Sequence, residues 1–301
     1  MPATRFIVAS LFVLILVPAA AFAQGDFEKV TIETTNLGNG IHMLKGAGGN
    51  LGVCVGEDGV FLIDDQYAPL TDKIRAAIGE LSDGPIKFVF NTHWHEDHVG
   101  GNENFGSTGS LLVSHANVRQ RLSTEQFSKF FDTTVPPLPD GALPVVTFTE
   151  SISFFYNDEE IVVFHVPAAH TDGDGVIHFT KANVIHSGDV VFNGLYPYID
   201  VSAGGNVDGL IAGARTIISL CDADTKIIPG HGPMAQKKDI ENYLAMLEDV
   251  RAKVAQEIAA GKDLEAVQAA GPAAAYDADW GQAWLTSDQF VQMVFDSLNG
   301  K

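Results

Sequence analysis

Short apolar runs bounded by Gly, Asn or Pro alternate along this chain with stretches whose apolar residues recur at helical spacing. The runs predict strands near 28–34, 40–45, 50–55 and 59–64, the first two joined by the turn Asn36-Leu37-Gly38-Asn39-Gly40. A helix follows near 69–81, with Leu70, Ile74, Ala77 and Ile78 on one face. The run Ile86-Lys87-Phe88-Val89-Phe90 predicts a buried strand, then come a short strand near 110–113 and a helix near 115–121. Strands are expected near 144–149, 151–156, 160–166, 174–179 and 183–187, a helix near 206–220 and a strand near 226–229. Helices fill most of 236–301, broken at Gly271-Pro272-Ala273-Ala274-Ala275. Strands followed by helices, twice over, predict an α/β fold: an αββα sandwich of two mixed sheets flanked by helices. The chain shows no repeat and no long low-complexity linker.

The start of the chain has a different pattern. Arg5 precedes an apolar run over 6–17, then Pro18 and Ala21-Phe22-Ala23. A basic start, a short apolar core and a small-x-small site predict a signal peptide over 1–23, cleaved after Ala23. The run is short for a bilayer, and no cysteine follows the cleavage site. The expectation is a periplasmic or secreted protein without stable membrane insertion. Residues 24–301 would then form one domain with a helical C-terminal extension from about 236. A 301-residue chain with 46% hydrophobic residues can bury a sizeable core. Its formal net charge of −20 disfavours nucleic acid and anionic membranes, which need basic surface.

Chemistry concentrates in His93-Trp94-His95-Glu96-Asp97-His98, four metal-binding side chains within six residues. Imidazole nitrogen and carboxylate oxygen suit zinc and other borderline metals. The cluster leaves the end of the 86–90 strand, where a sheet can hold its geometry. Three more candidates share that context, each after an apolar run and beside Gly: His170 in Pro167-Ala168-Ala169-His170-Thr171-Asp172-Gly173, Asp189 in His186-Ser187-Gly188-Asp189, and His231 in Pro229-Gly230-His231-Gly232.

These seven residues, in this order, resemble the metallo-β-lactamase superfamily of hydrolases. Phe61-Leu62-Ile63-Asp64 also resembles its first motif, and the likeness runs from about 28 to about 245. It implies the same αββα fold. It also implies a first metal held by His93, His95 and His170, a second held by Asp97, His98 and His231, and Asp189 bridging them. Asp64 would steady the ligand loop by hydrogen bonds, a part that Asp65 could also play. Two zinc ions are implied, with iron or manganese possible. Two such cations would lower the pKa of a bound water to roughly 7 and polarise a carbonyl. Asp97 would orient the attacking hydroxide, and no serine or cysteine nucleophile is needed.

The resemblance splits over substrate. The best-known lactamase branch carries Cys where this chain has Asp189, lacks a metal-binding His at the place of His98, and places a Lys shortly after that Cys. Here Phe192 stands in that stretch. A bridging Asp with the Asp97-His98 pair looks more like the lactonase and glyoxalase II branches. The export signal favours a cyclic amide, with β-lactams the first expectation and lactones, esters or thioesters the alternative. A di-iron redox protein is remote, because such relatives exchange histidines for carboxylates and carry a flavin domain. The partner is in each hydrolytic case a small molecule with a hydrolysable carbonyl.

Two segments are candidates for substrate choice. Residues 122–143 hold Phe127, Phe130, Phe131 and Val135-Pro136-Pro137-Leu138-Pro139, read either as a lid or as an apolar helix face with a stiff loop. Phe192, Asn193 and Tyr196, after Asp189, and Trp94 are candidate pocket residues, with Asn193 a candidate to polarise a carbonyl. Cys54 and Cys221 read as buried thiols, with a disulfide as the alternative. His42, His115, His165 and His178 have no ligand context, His186 could lie behind Asp189, and Glu96 reads as solvent-facing.

Overall fold

The computed structural model describes residues 27–300, so the signal-peptide expectation lies outside the described residues. Two mixed sheets face each other. The first joins β1 (Glu33–Gly38), β2 (Ile41–Lys45), β3 (Leu51–Gly56), β4 (Gly59–Ile63), β5 (Ile86–Asn91), β6 (Leu111–His115) and β9 (Val146–Phe148) in that order. It is antiparallel through β4 and parallel from β4 to β9. The second joins β10 (Ser151–Tyr156), β11 (Glu159–His165), β12 (Gly175–Phe179), β13 (Val184–His186), β14 (Lys226–Ile228) and β15 (Ala235–Gln236).

Strand composition explains the layers. β4 is buried along its whole length, as expected where both faces of a sheet are covered. Phe61 and Ile63 on one face meet Ile161, Val163, Ile177 and Phe179 of the opposite sheet. Val60 and Leu62 on the other face pack with Leu70, Ile74 and Ile78 of the helix α1 (Thr71–Gly79) and the turn before it. The outer face of the second sheet is covered by α5 (Val207–Leu220), α6 (Lys237–Ala259) and α9 (Ser287–Asn299), through Leu210, Ala214, Tyr243, Leu247, Val250, Phe290 and Val294. The result is the αββα sandwich, and the C-terminal helices share its core. Among the described residues, no helix is long and apolar enough to cross a membrane.

Three local readings change. The 28–34 strand begins only at Glu33; before it, Lys73 Nζ donates to the carbonyls of Phe27, Glu28 and Val30 and holds the segment as a turn. The connection to β2 narrows to Asn39 and Gly40, whose φ values of 51° and 75° suit a two-residue hairpin turn. Within 122–143 the chain forms a small hairpin, β7 (Gln126–Ser128) with β8 (Thr133–Val135), followed by a single 3-10 turn at Asp140–Ala142 and no α-helix after Leu122. Cys54 and Cys221 are both free and buried, so there is no disulfide.

Candidate metal centre

Strand direction gathers the seven side chains. β11 and β13 both run antiparallel to β12, and β14 runs parallel to β13, so β11, β13 and β14 point the same way. β4 and β5 are likewise parallel. The segments leaving these five strand ends carry Asp64, the His93–His98 cluster, His170, Asp189 and His231. The short helix α2 (Glu96–Val99) starts right after His95 and sets Asp97 and His98 on one turn.

Their donor atoms converge in two sets that share Asp189. In one, His95 Nδ1 lies 3.1 Å from His93 Nε2 and 2.8 Å from His170 Nε2. In the other, His231 Nε2 lies 3.4 Å from His98 Nε2 and 3.3 Å from Asp97 Oδ2. Asp189 Oδ2 is 3.8 Å from His93, 3.5 Å from His170 and 3.4 Å from His231, while its Oδ1 is 3.2 Å from His98. The sets His93/His95/His170, Asp97/His98/His231 and His93/His98/Asp189 each bring their donor atoms close enough to hold one ion.

This donor set fits divalent cations. It is all nitrogen and oxygen, which suits zinc. Asp189 Oδ1 is buried without a hydrogen-bond donor. Burial holds His93 well below the usual imidazole range and His170 down to about 4, which leaves both neutral, as metal ligands must be. At His98 and His231 burial also opposes charge, but it loses to the carboxylates. Asp189, Asp97 and Asp64 raise His98 well above its ordinary value, and Asp189 and Asp97 raise His231 to about 9. The field there calls for positive charge, which a cation would provide.

The remaining nitrogens of four ligand histidines have fixed partners, which orients the rings. His98 Nδ1 lies 2.7 Å from Asp64 Oδ2, and Asp64 also accepts from Thr92 N and Thr92 Oγ1. His93 Nδ1 meets Thr92 Oγ1, His170 Nδ1 donates to Tyr198 O, and His95 Nε2 lies 2.9 Å from Asp200 Oδ2. Asp65 accepts from Gly101 N, while burial raises its carboxyl well above the usual range; its own N–H donates to His98 O at 3.0 Å, so it braces the ligand turn through the backbone while its side chain bonds no ligand imidazole. His186 Nε2 faces Asn50 O, and Asn50 Nδ2 donates to Pro229 O and Gly232 O, strapping the His231 loop from both sides. His42, His115, His165 and His178 lie outside the donor clusters. Glu96 is exposed, in line with its solvent-facing reading.

Asp200 was not singled out from the sequence. A lone carboxylate in a loop has no periodicity or spacing to mark it. Asn50 was missed for the same reason. The pocket candidates need correction. Tyr196 is buried, stacks on Phe290, and donates to Ala273 O and Asp277 Oδ1, so it braces the C-terminal helices. Asn193 Nδ2 donates to Pro233 O and is committed to the His231 loop, not to a substrate carbonyl. Phe192 is buried with its ring stacked 5.2 Å from that of His231. Trp94 is buried beside His95 among Val99, Val118, Leu122 and Leu143. All four lie behind the ligands or away from them.

Close approach requires glycine at Gly230. A Cβ there would fall 1.9 Å from Asp189 Oδ1 and 2.7 Å from the Gly188 carbonyl carbon. Gly230→Ala must therefore push Asp189 or His231 aside. The expected result is fewer bound metal ions per chain by elemental analysis, and a loss of kcat/KM on the order of a hundredfold, as a 1 Å misplacement can cause.

The Metallo-beta-lactamase superfamily model matches residues 45–262, which contain all seven side chains. The chain belongs to the metallo-beta-lactamase superfamily. It is therefore a metal-dependent hydrolase. Among curated relatives of this superfamily member, the metallo-beta-lactamase IND-1 of Chryseobacterium indologenes is 25% identical over 253 residues, covering 78% of this chain and 96% of that protein. The acyl-coenzyme A thioesterase MBLAC2 of Gallus gallus is 26% identical over 153 residues; the match spans 46% of this chain and only about half (54%) of the thioesterase. Two solved structures show the shared fold. A metallo-beta-lactamase from Pontibacter korlensis superposes with a TM-score of 0.60 at 17% identity, over 73% of this chain and 100% of its own. A double mutant of the sec-alkyl sulfatase PisA1 gives 0.64 at 14%, over 92% of this chain and 51% of its own.

Proposed function

We propose that this hydrolase opens uncharged esters or lactones at a dinuclear centre. His93, His95 and His170 would hold one ion, Asp97, His98 and His231 the other, with Asp189 between them. Two divalent cations, zinc first and iron or manganese as alternatives, would supply Lewis acidity, making water acidic and a carbonyl electrophilic. Asp97 is the partly exposed carboxylate of the seven, so it can take a hydrogen bond from the attacking water and orient it. Asp64, Asp200 and the Tyr198 carbonyl hold the imidazoles still while charge develops. Side-chain thiols offer no competing nucleophile: burial pushes Cys54 up to about 11, and Cys221 is also raised by burial.

One observation carries the substrate class. Phe192 stacks on His231 in the stretch where lactamase relatives grip a carboxylate with Lys. No hydrogen bond or ion pair of the seven side chains involves Lys or Arg among the described residues, and Arg121 is paired with Asp172. A β-lactam drug or an acyl-coenzyme A would bring negative charge to a chain of net −20 whose seven donor side chains have no Lys or Arg contact among the described residues, the exposed Lys129 beside Phe130 being the nearby cation in sequence. The β-lactam reading keeps two supports, the alignment to IND-1 over nearly its whole length and the export signal expected from the sequence.

Chain lacking residues 1–23, loaded with zinc, should be assayed on nitrophenyl esters, lactones, an acyl thioester and a chromogenic cephalosporin, with and without chelator. Chelator-sensitive ester or lactone turnover well above the cephalosporin rate is the expected result; the reverse order would restore the β-lactam reading. The signal peptide and the periplasmic or secreted location belong to the same proposal, and the exported protein should begin at Gln24 by N-terminal sequencing.

A further inference from the structure

Exposed aromatic side chains are costly in water and gather here beside the site. Phe131 is 37% exposed and Trp284 50% exposed, and their rings stack at 6.0 Å. Phe131 comes from the turn of the β7–β8 hairpin, Trp284 from the segment before α9. Both rest on Tyr198, at 5.3 and 5.9 Å between ring centroids, and Phe130 closes the group at 5.4 Å from the same ring. Tyr198 in turn lies 5.6 Å from the ring of His95 and 5.7 Å from that of His170. Phe131 and Trp284, from segments far apart in sequence, therefore form an exposed apolar shelf whose floor, Tyr198, is only 5% exposed and connects it to the ligand rings. Contiguous exposed apolar surface of this kind marks a binding site.

We propose that this shelf binds the unbranched alkyl or acyl chain of the substrate, making Phe131 and Trp284 the residues that set chain-length preference. The inference rests on the ester and lactone reading for the identity of the bond cleaved, but not for the binding itself. A chain leaving a carbonyl at the donor cluster would pass Tyr198 and lie across Phe131 and Trp284. The group has two polar atoms: the Tyr198 hydroxyl, which already faces Ser128 Oγ at 3.5 Å, and the indole N–H of Trp284, a half-exposed residue within reach of water. Phe127, 55% exposed on the same hairpin, has no ring contact with the group among the described residues and serves as the control.

Neutral N-methyl alkanamides from acetyl to decanoyl, titrated calorimetrically into the zinc-loaded and metal-free protein, separate binding from turnover. Affinity should climb with chain length by roughly two- to fourfold per methylene, the range for partial to full burial. F131A/W284A should flatten that climb and F127A should not. Both changed side chains are about half buried against Tyr198, so thermal unfolding of each variant is checked first, and the single variants F131A and W284A replace the double one if it does not fold. An unchanged climb in F131A/W284A, or equal flattening in F127A, overturns the proposal. Hydrolysis of nitrophenyl esters from acetate to decanoate is measured alongside. A climb in affinity without turnover of any ester keeps the shelf and removes the ester reading. Turnover indifferent to chain length, with no climb in affinity, removes the shelf and keeps the ester reading.

Discussion

Asp189→Asn is expected to reduce bound metal from the two ions per chain proposed above to one or fewer and to lower kcat/KM by at least a hundredfold. The reason is that Asp189 is the one carboxylate facing both sets: its oxygens lie 3.2 to 3.8 Å from His93, His98, His170 and His231. Removing one partner of a buried charge cluster costs about 3 kcal/mol or more in stability, and the ligand misplacement that follows lowers the rate by about a hundredfold. The amide that replaces the carboxylate adds a second difficulty. Its NH2 group would point hydrogen at imidazole nitrogens whose lone pairs must face the ion. Elemental analysis with a steady-state assay on the same preparation checks the result. Two bound metals with full activity would remove Asp189 from its bridging place.

What could be read in the sequence, and what could not, follows from how each residue is placed. His170, Asp189 and His231 stood out because an apolar run ends in each case at a polar side chain beside Gly, and such a residue must sit at a strand end. Parallel direction then does the rest, since strands that point one way deliver their ends to one edge. The residues that hold the ligands carry no such mark. Asp200 is fixed by a bond across 105 positions of sequence, to His95, and Asn50 by bonds to Pro229 and Gly232. Long-range pairing leaves no local pattern. The hairpin at Gln126–Ser128 and Thr133–Val135 was obscured for another reason. Phe127, Phe130 and Phe131 stand at spacings of three and four, which imitates one face of a helix, whereas the structure uses Phe130 and Phe131 at a turn to reach Tyr198. The same limit explains Tyr196 and Phe192. An aromatic residue near a ligand in sequence can face the substrate or pack behind the ligand, and only the course of the loop decides.

Function here depends on that distinction. The aromatic groups nearest the ligands in sequence, Trp94 and Phe192, brace the imidazoles from behind, while those that reach solvent, Phe131 and Trp284, come from elsewhere in the chain. An acidic chain whose donor cluster has no Lys or Arg contact among the described residues, bordered by exposed aromatic rings, is what supports the proposed apolar and uncharged substrate. Specificity of this kind arises from what the site fails to offer a carboxylate as much as from what it offers an alkyl chain.

Asp64→Asn should weaken binding of one ion of the proposed dinuclear centre by about a hundredfold while leaving the fold in place. Asp64 is fully buried at the end of β4, with φ of 58°, a conformation that Asn tolerates well. Its Oδ1 accepts from Thr92 N, so in the variant the amide oxygen must take that position. The NH2 group then occupies the place of Oδ2, facing Thr92 Oγ1 and His98 Nδ1. The threonine hydroxyl can rotate and accept. His98 has one way to comply, which is to make Nδ1 its acceptor and carry its proton on Nε2. That is the nitrogen facing Asp97, His231 and Asp189, and a protonated nitrogen has no lone pair for a metal. Losing such a partner costs about 10- to 100-fold in metal affinity, and the tautomer argument puts this variant at the upper end. The first set, His93, His95 and His170, does not contact Asp64 directly and should keep its ion. Metal titration followed by elemental analysis would then show one ion bound tightly where the parent holds two, with thermal unfolding still cooperative. Asp64→Ala separates tautomer from packing: it leaves Thr92 N without its acceptor but lets His98 keep its proton on Nδ1. It should therefore lower the unfolding temperature more than Asp64→Asn does, yet bind the second ion better. The opposite order would mean that Asp64 holds the loop and does not set the tautomer.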